Sequence, residues 1–406
     1  MKSQKWLHFF VIFVNMESDI LNNKWVRSAI PAILIHVCIG SVYCWSLLKD
    51  EIAILMDCSV ASIEFAFSLA IFFLGMSAAF GGNFVERNVK MSSGLSCLFF
   101  TTGLLLTVLS IINKSTLGLM VSYGCIMGVG LGIGYLSPVK TLMLWFKEHK
   151  GLATGIAISG FGLSKVIFSP FIEWCNNEFS VITTLIAISI FSIVSMATAA
   201  YLIKKPDDWV EPNEKLNLRS YFNILKDPSY WKIWLMFYLN ITCGLALISF
   251  EKSIGIYAGI ASIGILSSLT AFFNTAGRFC YSTSSDFMKN KTLVYITIFA
   301  TSCISIVLSS TLPLFIPLML CVINAGYGGG FSTLPTLLHH KFGMEQISTI
   351  HGLTLSAWAF AGLTGNQISN LIINILNWSY QSLFYILFLL YGLALYLSYK
   401  LLKSEK

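Results

Sequence analysis

Long apolar runs alternate along this chain with short polar breaks, and the runs do not carry the half-polar stripe of a water-facing helix. A hydrocarbon core about 30 Å thick takes roughly 20 apolar residues per helix. Dividing the sequence at its polar breaks yields twelve such runs, near 27–48, 62–82, 93–113, 117–146, 152–174, 181–203, 231–251, 256–283, 292–312, 313–338, 350–375 and 381–402. The one long polar stretch runs over 204–230, gathers Lys204, Lys205, Asp207, Asp208, Glu211, Glu214, Lys215 and Arg219, and separates six spans from six. The pattern predicts an all-α membrane protein of twelve transmembrane helices. An N-terminal extension covers 1–24, six-helix bundles cover 25–203 and 231–402, 204–230 is a cytoplasmic linker and 403–406 a tail.

Composition narrows the class further. Of the 406 residues, 56% are hydrophobic and 11% charged, where soluble domains carry about a quarter charged residues. A soluble enzyme, a nucleic-acid binder and a disordered chain are all excluded, because one or two water-facing domains of this length could not hide so much apolar surface. The formal charge of +7 is a matter of sidedness. Lys49, Lys114 and Lys252 fall in outward connections, Lys140, Lys165 and Arg278 within spans, and the remaining twenty Lys and Arg on the side of both termini. The positive-inside rule then makes both termini cytoplasmic, in a multi-pass plasma or inner membrane protein whose partner is the lipid bilayer. Lys2 and Lys5 precede a run, Trp6 to Val14, of signal-core length but without a small-residue cleavage site. The first fifteen residues read as an interfacial extension or as the product of a start ahead of Met16, with a functional segment as the alternative. The ten cysteines form no C-x-x-C pair and read as packed thiols, with neither metal nor cofactor implied; Cys58 and Cys175 alone fall in outward connections, and their pairing is disfavoured.

The two halves repeat. Glu86-Arg87-Asn-Val-Lys90 after the second span is echoed by Asp286-Phe-Met-Lys289-Asn-Lys291 after the eighth. Gly128-Val-Gly-Leu-Gly-Ile-Gly-Tyr135 in the fourth span is echoed by Gly326-Tyr-Gly-Gly-Gly-Phe331 in the tenth, and Gly151-Leu-Ala-Thr in the fifth by Gly352-Leu-Thr-Leu in the eleventh. Six-span pseudo-repeats have equal orientation and are related by an axis along the membrane normal, which places a ligand between halves near mid-depth. Glu86, Arg87 and Asp286 become candidate gating residues, since a carboxylate in such a turn can accept from a helix N-terminus or pair with a base. The glycine spacing in the fourth and fifth spans reads as close helix packing.

No G-x-x-x-x-G-K-[ST], H-E-x-x-H or G-x-S-x-G pattern occurs, so neither a nucleotide-driven pump nor an enzyme is indicated. Charge at mid-membrane is the sharper signal, because each buried Lys or Arg costs about 2.5–3.5 kcal/mol on insertion scales. At 1.5 Å per residue, Arg278 lies about 12 Å above Asp286 and Lys165 about 21 Å above Gly151. No Asp or Glu falls at comparable depth, so an anion would complete the site, a carboxylate gripped by a planar guanidinium above all. Tyr43, Tyr135, Tyr327 and Trp358 are candidate walls of that site, and His36 a candidate proton carrier.

At these residues the chain resembles the oxalate/formate antiporter family of the major facilitator superfamily, related to the monocarboxylate transporters. The specific pieces are Gly40-Ser-Val-Tyr43-Cys-Trp45-Ser46, Trp145-Phe-Lys-Glu-His-Lys150-Gly151-Leu-Ala-Thr-Gly155 into Gly160-Phe161-Gly162, Asn274-x-x-Gly277-Arg278 with Ser285-Asp286, and Ala357-Trp358 with Ala361-Gly362-Leu363. The resemblance implies exchange or proton symport of small mono- or dicarboxylates, with Arg278 on the anion and Tyr43, Tyr135 and Trp358 shaping the pocket. Asn274 stands where the monocarboxylate relatives keep an Asp, Trp358 falls near the second cation of the oxalate carrier type, and Val89 replaces a glycine of the superfamily's turn. A neutral or drug-like substrate and a non-transporting membrane sensor remain the alternatives at this level.

Overall fold

The computed structural model describes residues 23–210, 223–345 and 347–404; the extension before Asn23 and the middle of the linker lie outside the described residues, as does the side chain of Glu86. Twelve long helices follow in order: α1 (Trp25–Leu47), α2 (Val60–Arg87), α3 (Val89–Ile112), α4 (Thr116–Trp145), α5 (Lys150–Glu178), α6 (Val181–Leu202), α7 (Pro228–Ser249), α8 (Ile263–Asp286), α9 (Thr292–Thr311), α10 (Pro313–Phe342), α11 (Ile347–Asn370) and α12 (Tyr380–Ser404). Ten are long and apolar enough to cross a membrane. The two that fall short in apolarity are α8 and α11, each of 24 residues. They carry Thr270, Arg278, Ser282 and Ser285, and Thr349, His351 and Thr354, all of them buried. Polar groups inside a bilayer protein turn inward, and the large residues these two helices leave exposed, Ile265, Phe272 and Phe360 among them, are apolar.

One boundary differs from the sequence pattern. The predicted eighth span, 256–283, is split: a short helix Glu251–Tyr257 ends at Ala258, and α8 begins only where the Ser262 hydroxyl accepts from the Ile265 amide. The loop between them is itself apolar, Ala258 to Ile260, so hydropathy does not mark the break.

α1–α6 and α7–α12 form two halves that meet along two antiparallel seams, α2 against α11 and α5 against α8. α3 with α6 and α9 with α12 pack on the outside of their halves. Lys90, Lys147, Lys150, Lys204, Lys289, Lys291 and Lys341 all lie at helix ends on one side of the bundle, hereafter the basic face, and the opposite side is the far face. α1 tightens to a 3₁₀ turn over Ser41–Leu47. Trp45 anchors that turn by donating Nε1 to the Ile63 carbonyl at 3.1 Å and stacking on Tyr123 at 3.8 Å, which leaves Tyr43, two residues earlier, directed between the halves.

Candidate functional site

Arg278 sits on α8 in the α5–α8 seam, one of the largest fully buried side chains, with 1% of its surface exposed. Its Nε donates to Asn274 Oδ1 one turn earlier at 3.0 Å. That bond fixes the plane of the guanidinium without cancelling its charge, because the partner is an amide. Nη1 and Nη2 make no hydrogen bond of ordinary geometry among the described residues, and the Tyr43 hydroxyl stands near enough to act on the guanidinium. The guanidinium carbon lies 5.6 Å from the Phe161 ring of the first half and 5.2 Å from the Phe331 ring of the second. Cation–π contact offsets part of the desolvation, yet leaves both forward N–H edges without an acidic partner among the described residues.

An aromatic cage surrounds this cation. Phe331 and Trp358 meet at 4.5 Å, Phe161 and Trp358 at 5.8 Å, and Tyr135 and Trp358 at 5.6 Å. Tyr43 packs on Phe161 at 5.2 Å and its hydroxyl meets that of Tyr327 at 3.0 Å, which ties α1 to α10 across the halves. His36 lies at the edge of Tyr135, 5.3 Å away. The structure therefore brings Arg278, Tyr43, Tyr135, Tyr327, Trp358 and His36 into one cluster. The Trp358 indole nitrogen and the Tyr135 hydroxyl, both buried, are also without partners among the described residues. An indole N–H can only donate and a phenol can donate, so with Arg278 the unused groups form a set of donors.

Lys165 is placed differently. It follows Gly162, which abuts the Arg278 side chain, by one turn toward the far face and is half-buried. The carboxylate that the sequence pattern assigns to a span end, Glu251, is buried, accepts from Thr270 Oγ1 at 3.0 Å and feels the Lys165 charge from the opposite half. Burial pushes the Glu251 carboxyl up from its ordinary range, against the pull of Lys165 and Thr270. Arg278 has no acidic partner among the described residues, whereas Lys165, expected to lack an acidic group at its depth, has Glu251 within electrostatic reach although no ion pair closes between them.

On the basic face the halves are sealed. Asp286 Oδ1 and Oδ2 accept from the backbone amides of Gly151 and Leu152 at 2.7 and 2.8 Å, so a carboxylate of the second half caps the N-terminus of α5 in the first. Ser282 Oγ donates to the Gly151 carbonyl at 2.6 Å and meets Thr154 Oγ1 at 2.6 Å. Lys140, 1% exposed, reaches across from α4 to the Met344 carbonyl at 3.1 Å and covers the Trp209 ring at 4.8 Å; it belongs to this seal rather than reaching up to the lipid surface. Arg87 is exposed at the end of α2 and stands apart from these contacts, and the Glu86 side chain lies outside the described residues. Removing the Asp286 cap in Asp286→Ala should cost about 1 kcal/mol of the closed basic face, roughly a fivefold shift of the open–closed balance. The expected result is an exchange rate lowered more than equilibrium substrate binding, read in proteoliposomes and by titration; equal rates would remove the latch.

Phe161, Phe331, Asn274 and Lys140 were visible only as motif or span residues, and His351, buried on α11 at 5.8 Å from the Tyr135 ring, falls where the sequence pattern starts a span. A histidine at a predicted span end passes for an interfacial residue; the clue was the polarity of the whole α11 segment.

Two six-helix halves closed around a buried polar centre define a polytopic membrane protein of transporter architecture. The chain belongs to the Major Facilitator Superfamily, whose profile matches residues 26–366. It is 25% identical over 352 residues to the uncharacterized MFS-type transporter YhjX of Escherichia coli, covering 83% of this chain and 85% of that one. It is 24% identical over 381 residues to the oxalate:formate antiporter of Oxalobacter formigenes, covering 89% and 88%. Among solved structures it resembles a bacterial homologue of the iron transporter ferroportin in an outward-facing state, with a TM-score of 0.72, 12% identity and coverage of 93% and 99%; that likeness concerns the fold.

Proposed function

We propose that this protein is a secondary active transporter of small carboxylate anions, monocarboxylates foremost, working by alternating access around Arg278. The observation that carries the reading is the buried guanidinium of Arg278, with no acidic partner among the described residues, beside the unused Trp358 indole N–H and Tyr135 hydroxyl. A neutral ligand would leave the Arg278 charge uncompensated in a buried site, whereas a carboxylate matches both its charge and its two-pronged geometry. The similarity to the oxalate:formate antiporter over most of both chains supports the same class. Because Lys165 lies one turn beyond the cage and within electrostatic reach of Glu251, Arg278 is the cation in contact with the cage rings, which suits a monoanion better than a dianion. The basic face is the cytoplasmic one by the positive-inside rule, with both termini on that side of a plasma or inner membrane.

Counterflow in proteoliposomes loaded with labelled formate, lactate, pyruvate and oxalate tests this: at least one monocarboxylate should exchange in preference to oxalate. Movement of neutral compounds alone, or no counterflow, would overturn it. Lys165→Gln and Glu251→Gln should each alter exchange by a similar factor, and the double variant no more than either, since the two act as one pair across the far side. The order of preference should match that of the wild type; selective weakening of oxalate by Lys165→Gln would make Lys165 a second ligand.

A further inference from the structure

α7 meets the cage at a position that has no side chain. Gly244 is buried, and the Tyr327 ring of α10 lies directly against it: a Cβ at 244 would stand 2.3 Å from Cδ2, 3.0 Å from Cγ and 3.1 Å from Cε2 of that ring. Carbon atoms in contact stay about 3.5–4.0 Å apart, so the ring fills space that any side chain at 244 would take. Gly244 is thus a slot in α7 that receives the Tyr327 ring.

The other neighbours of the ring fix what lies opposite the slot. Its hydroxyl meets that of Tyr43, 3.0 Å away on α1 of the other half. Phe331, one turn along α10, packs on it at 5.1 Å. Tyr43, Arg278 and Tyr135 all act electrostatically on the Tyr327 hydroxyl. The backbone that carries the ring is tied down on both sides. Asn240 Nδ2 donates to the Gly326 carbonyl at 3.3 Å, and the Tyr295 hydroxyl donates to the Gly330 carbonyl at 2.6 Å. With α10 held by these bonds, a ring pushed out of the slot moves away from α7, toward Tyr43, Arg278 and Tyr135.

We infer that Gly244 determines specificity: by giving the Tyr327 ring room in α7, it sets how long a carboxylate the cage accepts. The inference rests on the carboxylate reading above and adds the residue that measures the anion's tail. A carboxylate gripped by its oxygens on Arg278 directs its tail away from the guanidinium, among the rings, and Tyr327 is a wall of that space. A methyl group at 244 would move the wall inward by about 1 Å, a large part of the room one methylene needs. A methylene that gains or loses its place in an apolar pocket changes discrimination about 10- to 200-fold. The effect therefore grows with chain length, and formate, whose carboxylate carries only hydrogen, escapes it. Gly329 offers the contrast. A Cβ there would stand 2.4 Å from Cδ2 of Tyr281 on α8, a ring that is not part of the cage.

The test titrates purified full-length protein with formate, acetate, propionate, butyrate and hexanoate, and repeats the series as counterflow in proteoliposomes. Gly244→Ala should bind formate within about twofold of wild type and lose about tenfold in affinity for butyrate relative to formate. Tyr327→Leu should shift the preference the other way, gaining butyrate and hexanoate against formate. Adding Gly244→Ala to Tyr327→Leu should leave the length profile of Tyr327→Leu unchanged, because the ring through which the methyl acts is gone. Gly329→Ala should change every member of the series by one common factor. A common factor for Gly244→Ala as well would overturn the inference and reduce Gly244 to helix packing. Should Gly244→Ala fail to fold, Tyr327→Leu decides, and a wild-type length preference in that variant overturns the inference while leaving the carboxylate reading standing. A wild type that binds no member of the series overturns the carboxylate reading and the inference with it.

Discussion

Arg278→Lys should reach the membrane folded and bind its carboxylate roughly 10- to 100-fold more weakly, because a charge-assisted hydrogen bond is worth about 1.5–3 kcal/mol and each 1.4 kcal/mol is tenfold in affinity. Lysine keeps the positive charge, so a loss of this size reports geometry. The native guanidinium is aimed by its Nε bond to Asn274 and flanked by Phe161 and Phe331, which leaves Nη1 and Nη2 as parallel donors toward the cage. An ammonium at the same place is a point charge that cannot hold Asn274 and two carboxylate oxygens in one plane. Titration of purified protein with formate and lactate reads the effect directly. Wild-type affinity in Arg278→Lys would sink the central claim, because the donor fork would then be doing nothing that a bare charge does not.

Gly352→Ala should abolish net exchange while leaving the protein inserted. A Cβ at this position would stand 2.1 Å from the Ala78 carbonyl oxygen of the facing half, and the matching Gly151 would put one 2.1 Å from the Ser282 carbonyl oxygen. Both obstacles are backbone, so neither can swing aside. These contacts lie where α2 meets α11 and α5 meets α8 with the basic face shut, so an added methyl should raise the energy of that state. Spin labels at positions 90 and 289, in a background without native cysteines, should move apart in Gly352→Ala. An unchanged label distance with an unchanged exchange rate would show that the seam relaxes around the methyl and is no gate.

The sequence echo of Gly151-Leu-Ala-Thr in Gly352-Leu-Thr-Leu is legible as a repeat, and the structure shows what is repeated: the same close approach, at the same face, in the two seams between halves. The gating turn is legible in the same partial way. Asp286 is found on the α5 amides as a helix cap, whereas its neighbour in the echo, Arg87, faces solvent. A motif states which residues occur together; which of them reaches the other half depends on the rotation of each helix about its axis.

Hydrophobic length is a local property of a chain in a bilayer, since each helix satisfies its own backbone and needs only its own twenty-odd apolar residues to span. For that reason the sequence alone determined the membrane class, the twelve helices, the six-plus-six division and the repeat, and a charge such as Arg278 inside an apolar run stood out without any coordinates. Pairing between helices is non-local. Only the tertiary structure decided that Asn274 takes Nε of Arg278 and leaves both Nη groups without an acidic partner among the described residues, that Glu251 stands buried opposite Lys165, and that α8 starts seven residues later than its apolar run suggests. It alone brought His351 to the Tyr135 ring that His36 also touches. Those two histidines are 315 positions apart in sequence and lie in different halves, so nothing in the periodicity of either helix could have joined them; their meeting is set by how α1, α4 and α11 pack around one tyrosine.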